Sequence, residues 1–143
     1  MPNVDLHCHS TASDGLLAPR EVAYRAAGNG VELLALTDHD DIAGLPAARD
    51  AAEESGMAFV SGVEISIEWE GTQIHVVGLN FDAGNAALNE GLAAIRAGRI
   101  DRARRMAAEL ERHGIANTFE GAMRYAENPN LISRAHFARY LVE

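Results

Sequence analysis

The feature that most constrains this chain is the alternation in its first 64 residues, where each strand-like run leads into a residue able to bind metal. Val4-Asp5-Leu6-His7 reads as a short strand, and a polar loop from Ser10 to Leu17 follows it. Pro19 opens a helix, a favoured place because a first-turn amide has no helical partner to lose. The helix stops at Ala27-Gly28-Asn29-Gly30. Glu32 to Leu36 is the second strand, a helix covers Ile42 to Glu54, and Met57 to Val63 is a third strand running into Glu64. The order β-α-β-α-β is that of a parallel sheet or an α/β barrel.

The pattern then changes. Ile65 to Trp69 alternates with period two, Glu70-Gly71 reads as a turn, and Thr72 to Leu79 is a further strand, so a hairpin interrupts the parallel order. From Asn85 a helical stretch carries Leu88, Leu92, Ile95, Ala103, Met106, Ala107 and Leu110, and Gly98 kinks or divides it. Gly114 ends that stretch, and shorter helices near Phe119–Ala126 and Ser133–Val142 follow. The shift near residue 84 divides the chain into an α/β part, 1–84, and a helical part, 85–143.

Chemistry-bearing residues collect where the strands end. His7 and His9 share one face of the first strand, because successive side chains alternate, and Cys8 points the other way as a packing residue. Taken alone, the pair suits one divalent metal as well as it suits ordinary strand histidines. His39 and Glu64 close the second and third strands, and in parallel α/β folds these ends share the face that carries active sites. If Glu70-Gly71 is a two-residue turn, His75 faces Ser66 and lies diagonal to Glu64, roughly 7–8 Å away. Glu64 and His75 could then share a metal. A half-buried strand histidine is the plainer alternative. Asp14 precedes Gly15 in a turn, and its nearness to His7 and His9 makes it a further ligand candidate. Asp38 and Asp40 flank His39 as partners that orient it, as solvated loop acids, or, for Asp40 or Asp41, as a helix cap. His113 before Gly114 complements a helix dipole and is structural.

Composition narrows the partners. The net charge of −9 opposes non-specific binding to duplex nucleic acid but not a small phosphorylated substrate, since bound cations invert the local field. No apolar run is long enough for a membrane helix, and the N-terminus has no signal-peptide pattern. The single cysteine fits a reducing compartment, so the expected location is cytoplasmic.

The segments Asp5-Leu6-His7-Cys8-His9-Ser10, Ser13-Asp14-Gly15, Leu36-Thr37-Asp38-His39-Asp40 and Gly62-Val63-Glu64, in this order, closely resemble the PHP (polymerase and histidinol phosphatase) superfamily. The resemblance implies an α/β fold, a distorted (β/α)7-type barrel, present here as its N-terminal strands plus a helical insertion covering the site. It implies hydrolysis of phosphate esters at two or three divalent metal ions, manganese first, with zinc, iron or magnesium compatible. His7, His9, Asp14, His39, Glu64 and His75 match the family's ligands, with Glu64 bridging and with Glu64, His39 and Asp14 carrying catalysis. The Ser-Asp-Gly form and the run Ser133-Arg134-Ala135-His136-Phe137-Ala138-Arg139 resemble a stand-alone nucleotide-phosphatase group, in which Arg134 and His136 would hold substrate phosphate.

Family members continue well past the length seen here and supply a later histidine and an Asp-x-His. The expectation is therefore a segment of a longer protein, since an open barrel of about five strands would expose its edges. The expected partner is a small nucleotide, a nucleoside 3′,5′-bisphosphate or a short oligonucleotide end. Histidinol phosphate is the rival substrate, and a non-catalytic metal-binding domain is the rival class.

Overall fold

The computed structural model describes residues 1–142; Glu143, the last residue of the expected helical part, lies outside them. Four strands form one sheet in the order β1-β2-β3-β4: β1 (Val4–Cys8), β2 (Leu33–Leu36), β3 (Ala58–Trp69) and β4 (Thr72–Leu79). The first three run parallel, and β4 returns antiparallel to β3. Helices α1 (Pro19–Gly28) and α2 (Leu45–Glu54) are the crossovers that parallel pairing requires.

The strand count corrects the expected five. The third strand and the first hairpin strand are one continuous element. Its N-terminal part pairs with β2 through Ala58–Ser61, and from Gly62 onward it pairs with β4. A single strand has two hydrogen-bonding edges, so parallel and antiparallel neighbours can coexist on it. The hairpin register is the expected one, with Ser66 opposite His75 and Trp69 opposite Thr72. Glu70 and Gly71 both have positive φ, 48° and 75°, the requirement of a two-residue turn whose twist matches the strands.

Small side chains let α1 and α2 approach the sheet. Ala23, Ala26, Ala51 and Ala52 bury against Leu34 and Met57, while Leu36, Leu45 and Ala48 form an adjoining cluster. Helix α2 starts at Leu45, three residues later than expected, because the Asp41 carboxylate accepts the Ala43 N–H (2.7 Å) and holds that stretch as a turn. Gly98 does divide the long helical stretch, into α3 (Ala86–Ala97) and α4 (Arg99–Arg112). Then come α5 (Thr118–Met123), a short 3-10 turn and α6 (Arg134–Val142). These helices have their own core of Ala103, Ala107, Ala122, Ile132 and Phe137. Among the described residues no helix is long and apolar enough to cross a membrane.

Cys8 packs against the sheet-side clusters, as the alternation along β1 requires, and its thiol faces the Ala35 carbonyl (3.3 Å). Burial, reinforced by Asp5 and Asp38, pushes the thiol up to about 12 from 9.0. At pH 8 the native thiolate fraction should fall about a thousandfold below that of the unfolded chain. Iodoacetamide labelling is expected to be slow in buffer and fast in denaturant; equal rates would show that the thiol is not shielded.

Candidate metal centre

Each of the six expected ligands is delivered by a different piece of local structure. His7 lies in β1 and His9 just past its end. His39 follows β2, and there it forms an isolated parallel bridge with Glu64, the Asp40 N–H donating to the Glu64 carbonyl (2.9 Å). Glu64 is therefore not at a strand end but inside β3, at the point where parallel pairing gives way to the hairpin. His75 comes from β4. Asp14 comes from the loop after β1, which folds back so closely that a Cβ on Gly15 would lie 2.4 Å from the His9 carbonyl oxygen. Only glycine fits that approach.

The structure gathers four of the others around Glu64, which is 5% exposed, and joins Asp14 through His9 and His39. The Oε2 of Glu64 lies 2.8 Å from His7 Nε2 and 3.1 Å from His9 Nε2, and those two nitrogens are 3.2 Å apart. Its other oxygen, Oε1, meets His75 Nδ1 at 2.8 Å. His39 stands between, with Nδ1 3.7 Å from Glu64 Oε2 and Nε2 3.9 Å from Asp14 Oδ2. The imidazole rings of His9 and His39 stack with centroids 4.6 Å apart. Three overlapping triads result: His7–His9–Glu64, His9–Asp14–His39 and His39–Glu64–His75, with donor atoms in each within 4.8 Å of one another.

These residues fit divalent metal. Donor separations near 3 Å are those of neighbouring ligands around an ion with bonds of ~2.1 Å. Among the described residues the buried Nδ1 atoms of His9 and His39 have no hydrogen-bond partner, a costly condition for a nitrogen shielded from water. Burial pushes His9 and His39 below the usual histidine range despite the nearby carboxylates of Asp14 and Glu64, so both stand neutral with lone pairs free. Burial alone would raise Glu64. The His7 hydrogen bond, with the charges that His39, His9 and His7 carry once protonated in acid, outweighs it, and the carboxyl lies below its ordinary range.

Around the cluster, Asp38 and Asp40 have different work from that expected. Asp38 does not orient His39. Its carboxylate accepts the Ser10 N–H (2.7 Å), the Ser10 hydroxyl (2.6 Å) and the Ser13 hydroxyl (2.6 Å), fixing the loop that presents Asp14. Asp40 is neither solvated nor a cap. Fully buried, with φ of 52°, it accepts the Ser66 N–H (2.6 Å) and pairs with Arg99 of α4, which is 5% exposed. Sequence reasoning missed Arg99, although it shares the buried stripe of α4 with Ala103 and Ala107 at spacing four.

Asp14 is steadied from the far end of the chain. Ser133 donates its hydroxyl to Asp14 Oδ2 (3.0 Å), and Arg139 donates to the Asp14 carbonyl. The same Ser133 oxygen accepts the Ala135 N–H (3.2 Å) at the start of α6, the expected capping position. Arg134 joins Asp14, His39 and His75 in lining a cleft of about 180 Å³. His136 does not line it. That ring is 1% exposed, its Nδ1 accepts the Ser133 N–H (2.9 Å), and it faces a separate cavity with Arg139.

The chain is 53% identical over its whole length to a 3′,5′-nucleoside bisphosphate phosphatase of Chromobacterium violaceum, covering 50% of that protein. It is 50% identical over 139 residues to a 5′-3′ exoribonuclease of Haemophilus influenzae, covering 97% of this chain and 50% of the relative. A solved structure from Bifidobacterium adolescentis, provisionally named a metal-dependent phosphoesterase, superposes with a TM-score of 0.88 at 31% identity, covering 99% of this chain and 50% of that one. The chain thus spans about half the length of the curated relatives it matches. The PHP domain pattern matches residues 5–138, nearly the whole sequence, and the chain belongs to the PHP domain family.

Proposed function

We propose that the complete protein is a metal-dependent phosphoesterase that removes phosphate from small nucleotides. The observation that carries this reading is the convergence of four histidines on one buried glutamate, with Asp14 beside two of them. His7, His9, Asp14, His39, Glu64 and His75 would hold two or three divalent ions. The donors are nitrogen and oxygen without thiolate, which suits manganese first and admits zinc, iron and magnesium. Bound there, such ions supply Lewis acidity toward phosphoryl oxygen and lower the pKa of water.

The chain's own residues set up the rest. Glu64 joins two of the three triads through its two oxygens and would be the carboxylate shared between ions held there. His39 and Asp14 face the cleft where the reacting phosphate would sit. Arg134, exposed at the first turn of α6, can grip phosphate oxygens with two parallel hydrogen bonds, aided by the positive end of the helix. His136 supports that grip by holding the Ser133 amide. Residues 1–84 act as the metal-bearing half and 85–143 as a cap over it, working in the cytoplasm, where the Cys8 thiol stays reduced.

The relatives' names favour nucleotides over histidinol phosphate. In the complete native protein, phosphate release from a nucleoside 3′,5′-bisphosphate is expected to cease on chelation and return with added manganese. Histidinol phosphate should be turned over far more slowly. The reverse preference would assign the protein to the rival substrate, and tightly bound metal without turnover would make it a non-catalytic metal domain.

A further inference from the structure

The cleft beside the metal-ligand cluster does not end at Arg134. Four of its lining residues, Ser66, Gln73, Arg102 and Arg134, also line a second cavity of about 300 Å³ that reaches Arg105. The two cavities form one groove, running from His39 and His75 to a face of α4. Arg102 and Arg105 lie three residues apart on that helix and are neighbours on its surface.

The charges along the groove are unmatched. Arg102 and Arg105 have no hydrogen-bond acceptor and no ion-pair partner among the described residues. Elsewhere on α4, Arg99 pairs with Asp40, Arg112 pairs with Glu109, and Arg104 lies over the Phe119 ring. Arg134 donates to the neutral amide oxygen of Gln73 (2.5 Å), which leaves its charge uncompensated. Glu68 borders the outer cavity but stands beyond ion-pair distance from every arginine there. Like charges that neighbour each other on a helix surface repel. In a chain with 21 acidic residues and 12 basic ones, leaving such a pair unanswered on one groove wall is a cost that a bound anion would reverse.

We propose that Arg102 and Arg105 form a second anion subsite, which takes a phosphate of the substrate other than the one hydrolysed. This rests on the phosphoesterase reading above and narrows its substrate class to nucleotides with two phosphates separated by a nucleoside. A guanidinium pair suits a phosphate because each can present two parallel donors to its oxygens. Two sources carry that chemistry, a nucleoside 3′,5′-bisphosphate and an oligonucleotide whose next phosphate lies one nucleoside away.

The test compares kcat/KM of the complete metal-loaded protein on adenosine 3′,5′-bisphosphate, adenosine monophosphates and a 5′-phosphorylated dinucleotide. In the double variant Arg102→Gln, Arg105→Gln, the preference for bisphosphate over monophosphate should fall about 10- to 100-fold, the scale of lost charged hydrogen bonds. Arg105→Gln alone, at an exposed position, should lower it in part, and Arg105→Lys should lower it less. A matching fall on the dinucleotide identifies the subsite's phosphate as an oligonucleotide's; a fall confined to the bisphosphate identifies it as a terminal one. An unchanged preference in the double variant overturns the subsite and leaves the phosphoesterase reading standing. No turnover of any phosphate ester by the wild-type protein overturns both.

Discussion

Glu64→Ala in the complete native protein is expected to strip most of the bound metal and to lower phosphate release by more than ~100-fold, beyond what loss of an outer partner costs. The reason is geometric. Glu64 is the one carboxylate that belongs to two triads, and His7, His9 and His75 each lie within about 3 Å of one of its oxygens. Removing the carboxylate leaves four clustered imidazoles with Asp14 as the one remaining anion among the ligands. Glu64→Gln keeps the volume, separating a lost ligand from a lost fold, and should behave like the alanine variant in metal content. In the metal-free state the two forms differ with pH in a definite direction. Because the folded carboxyl lies below its ordinary value, its contribution is full above pH ~4.3 and is lost as pH falls through the lower folded value. The stability gap between wild type and Glu64→Gln should therefore close in acid. Undiminished metal by elemental analysis together with undiminished turnover would remove Glu64 from the site.

Arg99→Met should have the largest effect on stability. Arg99 and Asp40 are both buried, and Asp40 also holds the Ser66 N–H on β3, two residues past Glu64. Deleting the guanidinium leaves a carboxylate buried without its counter-charge, at a cost of about 3–5 kcal/mol. That is a large share of a domain's ~5–15 kcal/mol, and it should lower Tm by on the order of 10 °C. The loss is not confined to α4. Asp40 follows His39 directly and sits at a positive φ that its hydrogen bonds sustain, so metal affinity should weaken with stability. Adding Asp40→Asn should recover much of the loss, because no charge is then left buried. Thermal unfolding of the four proteins of this cycle measures the coupling; an Arg99→Met protein as stable as wild type would show the pair to be incidental.

Much of the sheet was legible from residue order. The β-α-β-α-β alternation, the Glu70-Gly71 turn and the pairing of Ser66 with His75 all follow from periods and turn chemistry acting over a few residues. So does the grouping of His7, His9 and His39, because parallel strands joined by right-handed crossovers present the same end to one face. The miscounted third strand marks the limit of that reasoning. Nothing in Gly62-Val63-Glu64-Ile65 signals that a strand changes partners, because its backbone stays extended while the neighbour on its other edge begins.

The chain's local sequence determined its elements, the hairpin register and the face on which the metal-competent residues lie. Backbone sterics and side-chain alternation fix these within about ten residues. Only the tertiary structure decided which distant groups hold that face in place. Asp40 meets Arg99 across 59 positions, and Asp14 meets Ser133 across 119. Such pairings depend on how the helical part docks against the sheet. Docking is set by the fit of whole surfaces, which leaves no period in the sequence that a local reading could detect.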